Sequence, residues 1–87
     1  MIENRKDKLN KLLEAESLNN RATKYMVQGR YSLAEPLLIR SLKFLETKFG
    51  KKHPDVAGSL ADLGGLYEVQ GKHSQARASY KRSLAIR

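Results

Sequence analysis

Residues 25–34 read YMVQGRYSLA, and residues 67–76 read YEVQGKHSQA. The second stretch repeats the first at an offset of 42 residues, and the Arg-Ser-Leu at residues 40–42 returns at residues 82–84 with the same offset. A period between about twenty and fifty residues is typical of solenoids, in which similar supersecondary units stack on one another. Solenoids present extended surfaces rather than enclosed reaction pockets, so the repeat predicts a binding protein.

The composition describes a small, basic chain. Its 87 residues include 17 Lys and Arg and 9 Asp and Glu, which gives a formal net charge of +8, and there is no cysteine. The N-terminus is polar and does not resemble a signal peptide, and no apolar run approaches the roughly 20 residues that cross a bilayer. We therefore expect a cytoplasmic protein that has no membrane partner, and the positive charge favours an acidic partner.

Apolar residues recur at intervals of three and four along the whole chain, which is the period of an amphipathic helix. The pattern predicts four helices, at about residues 3–28, 32–48, 54–71 and 74–87. The expected fold is all-α, with two stacked antiparallel helix pairs in a single domain over residues 1–87. The first repeat covers about residues 15–48 with a helical extension over residues 3–14, and the second covers about residues 54–87.

Four positions predict where these helices begin and end. Gly29 is suited to end the first helix, because glycine adopts the left-handed conformation at a C-terminal cap. Ser32 and Glu35 fit a capping box at the start of the second helix, and Ser74 is the equivalent cap for the fourth. Pro54 fits the first position of the third helix, where its missing N–H is not needed.

The sequence resembles the tetratricopeptide repeat, most closely the 42-residue form found in kinesin light chains and in many bacterial multi-repeat proteins. The resemblance rests on residues 28–42, on the Phe-Gly-Lys-Lys-His-Pro-Asp-Val-Ala of residues 49–57, and on residues 71–77. It implies that small residues such as Ala22 and Gly64 let paired helices approach. It places Tyr25 and Tyr67 in equivalent buried positions, and it implies a non-enzymatic module that binds a peptide or protein.

Repeats of this family generally bind peptides on a concave face, which the first helix of each pair lines. In this chain that face is expected to include Asn19, Asn20 and Thr23 from the first pair, and Asp62 and Gly65 from the second. Amide side chains both donate and accept hydrogen bonds, so they can hold a peptide backbone of any sequence. The alternative is that these are solvated polar positions. A clamp for a C-terminal carboxylate is not favoured, because Asp62 would repel it.

The last helix suggests self-association. About three repeats with polar caps are usually needed to bury the apolar faces of a solenoid. This chain has two repeats, with a polar cap predicted only at residues 8–11, and its last helix carries Tyr80, Leu84 and Ile86 with no helix to cover them. The sequence therefore predicts a homodimer, or a larger array, centred on these three residues.

The same helix carries several positive charges, which could dock an acidic protein or a nucleic acid. A solvated face is the simpler interpretation, and no aromatic residues or known motif support nucleic-acid binding further. This set comprises Lys72, Arg77, Lys81, Arg82 and Arg87.

Catalysis has little support in the sequence. The only histidines are His53 and His73, and neither has a nucleophile or a set of metal ligands at useful spacing. We expect no enzymatic activity, no metal and no cofactor. Three classes of function stay open, namely a peptide- or protein-binding adaptor, a self-assembling structural unit and, less favoured, a nucleic-acid-binding accessory.

Overall fold

Four α-helices follow one another in the computed structural model, which describes the backbone of residues 5–87 and the side chains of residues 13, 14 and 16–87. They are α1 (Arg5–Val27), α2 (Tyr31–Phe49), α3 (Pro54–Val69) and α4 (His73–Ile86). Helix α1 packs on α2, α2 on α3, and α3 on α4. This confirms the all-α prediction of two stacked helix pairs. The predicted helix start at residue 3 and the predicted polar cap at residues 8–11 lie outside what the structure describes.

The turn inside each helix pair is set by a glycine. Gly29 has a φ of +76° and donates its N–H to the carbonyl of Met26 at 3.1 Å, while Arg30 donates to the carbonyl of Tyr25 at 2.7 Å. These two bonds form a Schellman motif, which satisfies carbonyls that the end of a helix leaves free. The second turn repeats both bonds around Gly71, which also has a φ of +76°. The predicted cap at Gly29 is therefore confirmed, and Gly71 ends α3 in the same way.

The predicted serine caps are wrong. Helix α2 begins at Tyr31, and its N-cap is Arg30, whose side chain makes no cap hydrogen bond. The Schellman turn brings the chain into helical conformation one residue early, so Ser32 already lies inside the helix and forms no capping box with Glu35. Ser74 is displaced in the same way, because α4 also begins one residue before its serine.

The start of α3 follows the prediction and adds a cap that the sequence analysis missed. Pro54 is the first residue of the helix, and His53 is its N-cap. The Nδ1 atom of His53 accepts a hydrogen bond from the backbone N–H of Asp55 at 3.1 Å. The imidazole ring also stacks on Phe49, with ring centroids 4.4 Å apart. A histidine therefore caps this helix in place of the Ser, Thr, Asp or Asn that is usual at an N-cap.

Small residues let the helices of each pair approach closely. Ala22 and Ala34 are fully buried between α1 and α2, and in the second pair Gly64 lies against the ring of Tyr80. Tyr25 and Tyr67 pack at the edge of the core and are only half-buried, which corrects the prediction that both are buried. The central cluster comprises Ala22, Ala34, Leu38, Leu42, Val56, Leu60, Leu63 and Leu66.

Ion pairs join the two helix pairs at their junction. Lys72 Nζ lies 3.1 Å from Glu35 Oε1, and Arg82 Nη2 lies 3.0 Å from Glu46 Oε2. Burial and the nearby Glu35 carboxylate raise the pKa of Tyr67, while Lys72, which lies 5.8 Å from the centre of that ring, opposes the shift. These pairs are partly exposed, so each contributes about 0.2–1 kcal/mol. Their main effect is to fix the register of one pair on the next.

Candidate functional site

An open groove of about 580 Å³ runs between α1 and α3, with α2 as its floor. It combines apolar contact area on the floor with polar side chains along both walls, which is the usual character of a binding groove. Its lining includes Glu16 and Asn19 from α1, Ser41, Leu45 and Phe49 from α2, and Asp55, Ser59 and Asp62 from α3.

The groove brings together two of the five residues predicted to bind a partner. Asn19 and Asp62 both line it. Asn20 and Thr23 are exposed on α1 but do not line the groove, and the Thr23 hydroxyl donates to the carbonyl of Asn19 at 3.0 Å. Gly65 faces α4 instead, because a Cβ atom on it would lie 3.7 Å from the hydroxyl of Tyr80. The close neighbour of Gly65 is therefore a residue of the same chain.

The groove is locally acidic in a basic protein. Among the described residues, Glu16, Asp55 and Asp62 contribute three carboxylates to its lining, against the single guanidinium of Arg87. Burial raises the pKa of the Asp62 carboxyl above its ordinary value, because the surrounding chain displaces some of its water. Because the net charge of the chain is +8, its composition alone does not indicate an acidic cluster. Helical spacing could have revealed part of it, since Asp55 and Asp62 are two turns apart on one face.

A buried hydroxyl also lines the groove. Ser59 is only 5% exposed, and its Oγ atom has no hydrogen-bond partner among the described residues. Most buried polar side-chain atoms in proteins do have a partner, so an unsatisfied hydroxyl at the edge of an open groove is unusual. The Oγ atom itself has almost no accessible surface, so this hydroxyl lies beneath the groove surface.

The second candidate surface is the outer side of α4, which we call the α4 face and define by Ala76, Arg77, Tyr80, Lys81 and Leu84. These residues border an open depression of about 470 Å³. Leu84 is 72% exposed, although it is a large apolar residue. The surface therefore combines uncovered apolar area with the cations of Arg77 and Lys81, and the Glu68 carboxylate of α3, which accepts from the Tyr80 hydroxyl, also borders the depression.

Only part of the predicted self-association strip lies on the α4 face. Tyr80 is half-buried, and its hydroxyl donates to Glu68 Oε2 at 3.0 Å. That hydrogen bond, followed by burial, raises the pKa of Tyr80. Ile86 packs against the central cluster instead of facing outward. The prediction that Ile86 lies uncovered beside Leu84 is therefore wrong, because helical geometry turns it toward the core.

Neither histidine belongs to a reactive arrangement in the described part of the chain. His53 caps α3, and His73 is exposed at the start of α4. Among the side chains that the structure describes, no three His, Asp or Glu residues converge as metal ligands. The helices that could be searched include none long and apolar enough to span a bilayer.

A comparison with known families places these observations in context. The model of the family described as "Tetratricopeptide repeat" matches residues 13–87, which is most of the chain and includes all of α2, α3 and α4. Repeats of this kind generally mediate protein–protein interactions, and the family is one of interaction modules rather than enzymes. With its two helix pairs and its paired glycine turns, this chain belongs to the tetratricopeptide repeat family.

Proposed function

We propose that this chain is a non-enzymatic interaction module that binds an extended peptide segment in the groove between α1 and α3. The observation that carries the proposal is that Asn19 and Asp62 line one open groove over an apolar floor. The amide can hold the backbone of a peptide, and Leu45 can contact an apolar side chain.

The charge of the groove favours a peptide that contains Lys or Arg. Among the described residues, Glu16, Asp55 and Asp62 outnumber the positive charge of Arg87. All three carboxylates are exposed, so together they attract an incoming cation, and salt should weaken that attraction. The overall charge of the protein favours acidic partners, so such partners are expected at other surfaces and not in this groove.

The test is selection of random short peptides, displayed on phage, against the immobilised chain. We expect the selected peptides to be rich in Lys and Arg, and their affinity to fall at least several-fold in Asn19→Ala and Asp62→Asn. Glu14→Gln is the matched control for Asp62→Asn. It also replaces a carboxylate by an amide, but Glu14 lies on α1 outside the groove lining. Peptides that are acidic, or that bind all of these variants equally, would contradict the proposal.

Self-association is the second candidate, and the observation that favours it is the 72% exposure of Leu84. Sedimentation equilibrium over a range of concentrations tests it directly, and Leu84→Glu should abolish a dimer that uses this surface. A monomer at every concentration would exclude it. The kinesin light chain-like subtype and the cytoplasmic location stay predictions.

Binding of nucleic acid is the least favoured candidate. Two of the five cations on which it rests are engaged, since Lys72 pairs with Glu35 and Arg82 pairs with Glu46. A phosphate backbone is usually bound by several free Lys and Arg side chains. The ion pairs of Lys72 and Arg82 therefore weaken the case for nucleic-acid binding.

A further inference from the structure

The 42-residue offset allows the α4 face to be compared with a surface whose occupant is visible. Position by position, Leu38 and Leu42 of α2 correspond to Tyr80 and Leu84 of α4. Leu42 is 8% exposed because the second helix pair covers it, whereas Leu84 is 72% exposed. The α4 face is thus the equivalent of a surface that, on α2, is covered by packed helices.

The charges on the two equivalent surfaces are opposite. On α2, the Glu35 carboxylate accepts a hydrogen bond from Lys72 at 3.1 Å across the junction. The residue at the position of Glu35 on α4 is Arg77, and the residue at the position of Ile39 is Lys81. A helix that packs on α4 as the second pair packs on α2 must therefore present an acidic side chain where the second pair presents Lys72.

The positive charge of the α4 face disfavours the packing of a second copy of the chain on it. In head-to-tail stacking, Arg30 would occupy the place of Lys72 and would meet Arg77, because these positions are equivalent in the repeat. In a two-fold arrangement through α4, Arg77 and Lys81 would approach the same two residues of the other copy. Like charges brought together at an interface disfavour that pairing.

We propose that the α4 face binds an amphipathic helix whose apolar side packs on Tyr80 and Leu84 and whose acidic side chains pair with Arg77 and Lys81. The partner is thus an amphipathic helical segment with Glu or Asp beside its apolar strip. This surface is separate from the groove between α1 and α3, so the proposal does not depend on the groove binding a peptide.

The probe is a pair of synthetic amphipathic peptides, held helical by a hydrocarbon staple, that share one Leu strip flanked either by Glu or by Lys. Binding to the full chain is measured by fluorescence anisotropy at low and at physiological salt. We expect the Glu peptide to bind about tenfold more tightly than the Lys peptide, as two exposed ion pairs would give, and the difference to shrink with salt.

Variants separate the charge and the apolar contributions. Arg77→Glu with Lys81→Glu should reverse the preference between the two peptides. The matched control is Arg21→Glu with Lys24→Glu, which makes the same charge change at exposed positions of α1 and should leave the preference intact. Leu84→Ala should weaken both peptides several-fold. Circular dichroism verifies that each variant is folded.

Four results would overturn the proposal. Equal affinity for the Glu and Lys peptides, or an unchanged preference in the Arg77→Glu, Lys81→Glu variant, would remove the role of these cations. A homodimer that Leu84→Glu dissociates would assign the surface to a second copy. An oligonucleotide that displaces the Glu peptide, and that the same charge reversal releases, would assign it to nucleic acid.

Discussion

The contact between Gly64 and Tyr80 allows a quantitative test of how the second helix pair packs. A Cβ atom on Gly64 would lie 2.7 Å from Cε1 and 2.8 Å from Cδ1 of the tyrosine ring. Ordinary contacts between carbon atoms are about 3.5–4.0 Å, so the ring would have to move. It is not free to do so, because its hydroxyl is bonded to Glu68. We therefore expect Gly64→Ala to strain the packing of α3 on α4.

The magnitude follows from two opposing contributions. Replacing a helical glycine by alanine stabilises a helix by about 1 kcal/mol. Overpacking a filled site costs typically about 1–3 kcal/mol. Gly64→Ala should therefore range from neutral to about 2 kcal/mol less stable than the parent. Gly58→Ala is the matched control on the same helix, because its Cβ atom would meet nothing within 4 Å, and it should stabilise by up to about 1 kcal/mol.

The first repeat suggests a second substitution that should relieve the strain in Gly64→Ala. Ala22 and Leu38 occupy the positions that correspond to Gly64 and Tyr80, so a larger residue on one helix is matched by a smaller one on its neighbour. Gly64→Ala with Tyr80→Leu rebuilds the first combination in the second pair. Urea unfolding followed by circular dichroism gives the four stabilities of this double-mutant cycle, and the two changes should be coupled by about 0.5–3 kcal/mol. Additive effects, or a Gly64→Ala variant as stable as Gly58→Ala, would refute the packing argument.

Three further predictions use the same unfolding measurement. Leu42→Ala should cost about 2–5 kcal/mol, whereas Leu84→Ala, at the equivalent exposed position, should stay within about 0.5 kcal/mol of the parent; similar losses would contradict the difference in burial between the two residues. Gly71→Ala should cost about 1–2 kcal/mol because of its positive φ, and an unchanged midpoint would contradict the Schellman turn. The raised pKa of Asp62 means that the folded chain holds this proton more tightly than the unfolded chain. The contribution of Asp62 to stability should therefore be lost as pH rises above the ordinary Asp pKa of about 3.9, and Asp62→Asn should reduce that loss. An Asp62→Asn variant that is less stable than the parent at neutral pH would contradict this prediction.

The repeat and the helical period were sufficient to predict the fold. Both depend on local sequence, since the Schellman glycines and the apolar stripes act within a few residues of one another. The helix starts at Ser32 and Ser74 were predicted wrongly for a physical reason. A serine before a helix is a good cap only if the chain enters helical conformation after it, and the preceding glycine turn brings this entry forward by one residue.

The candidate site was less predictable because it depends on packing between helices. Asn19 and Asp62 line the groove, whereas the neighbour of Gly65 is Tyr80 on another helix. The role of Asn19 and Asp62 in binding stays a prediction. Ile86 was misplaced because the sequence alone does not fix the rotation of α4 against α3. The Lys72 and Glu35 pair joins residues 37 positions apart, which no helical spacing could predict.

The order in which the helices pack has a consequence for how the chain folds. Each substantial contact joins helices that are consecutive in sequence, so the contact order is low and few long loops must close before packing begins. Folding should therefore be fast, and opening should proceed from the ends. Helix α3, which is held on both sides by α2 and α4, should show the slowest amide hydrogen exchange. Among the described residues, helix α1 makes its substantial contact with α2 alone, so the wall of the groove that carries Asn19 should open more readily than the wall that carries Asp62.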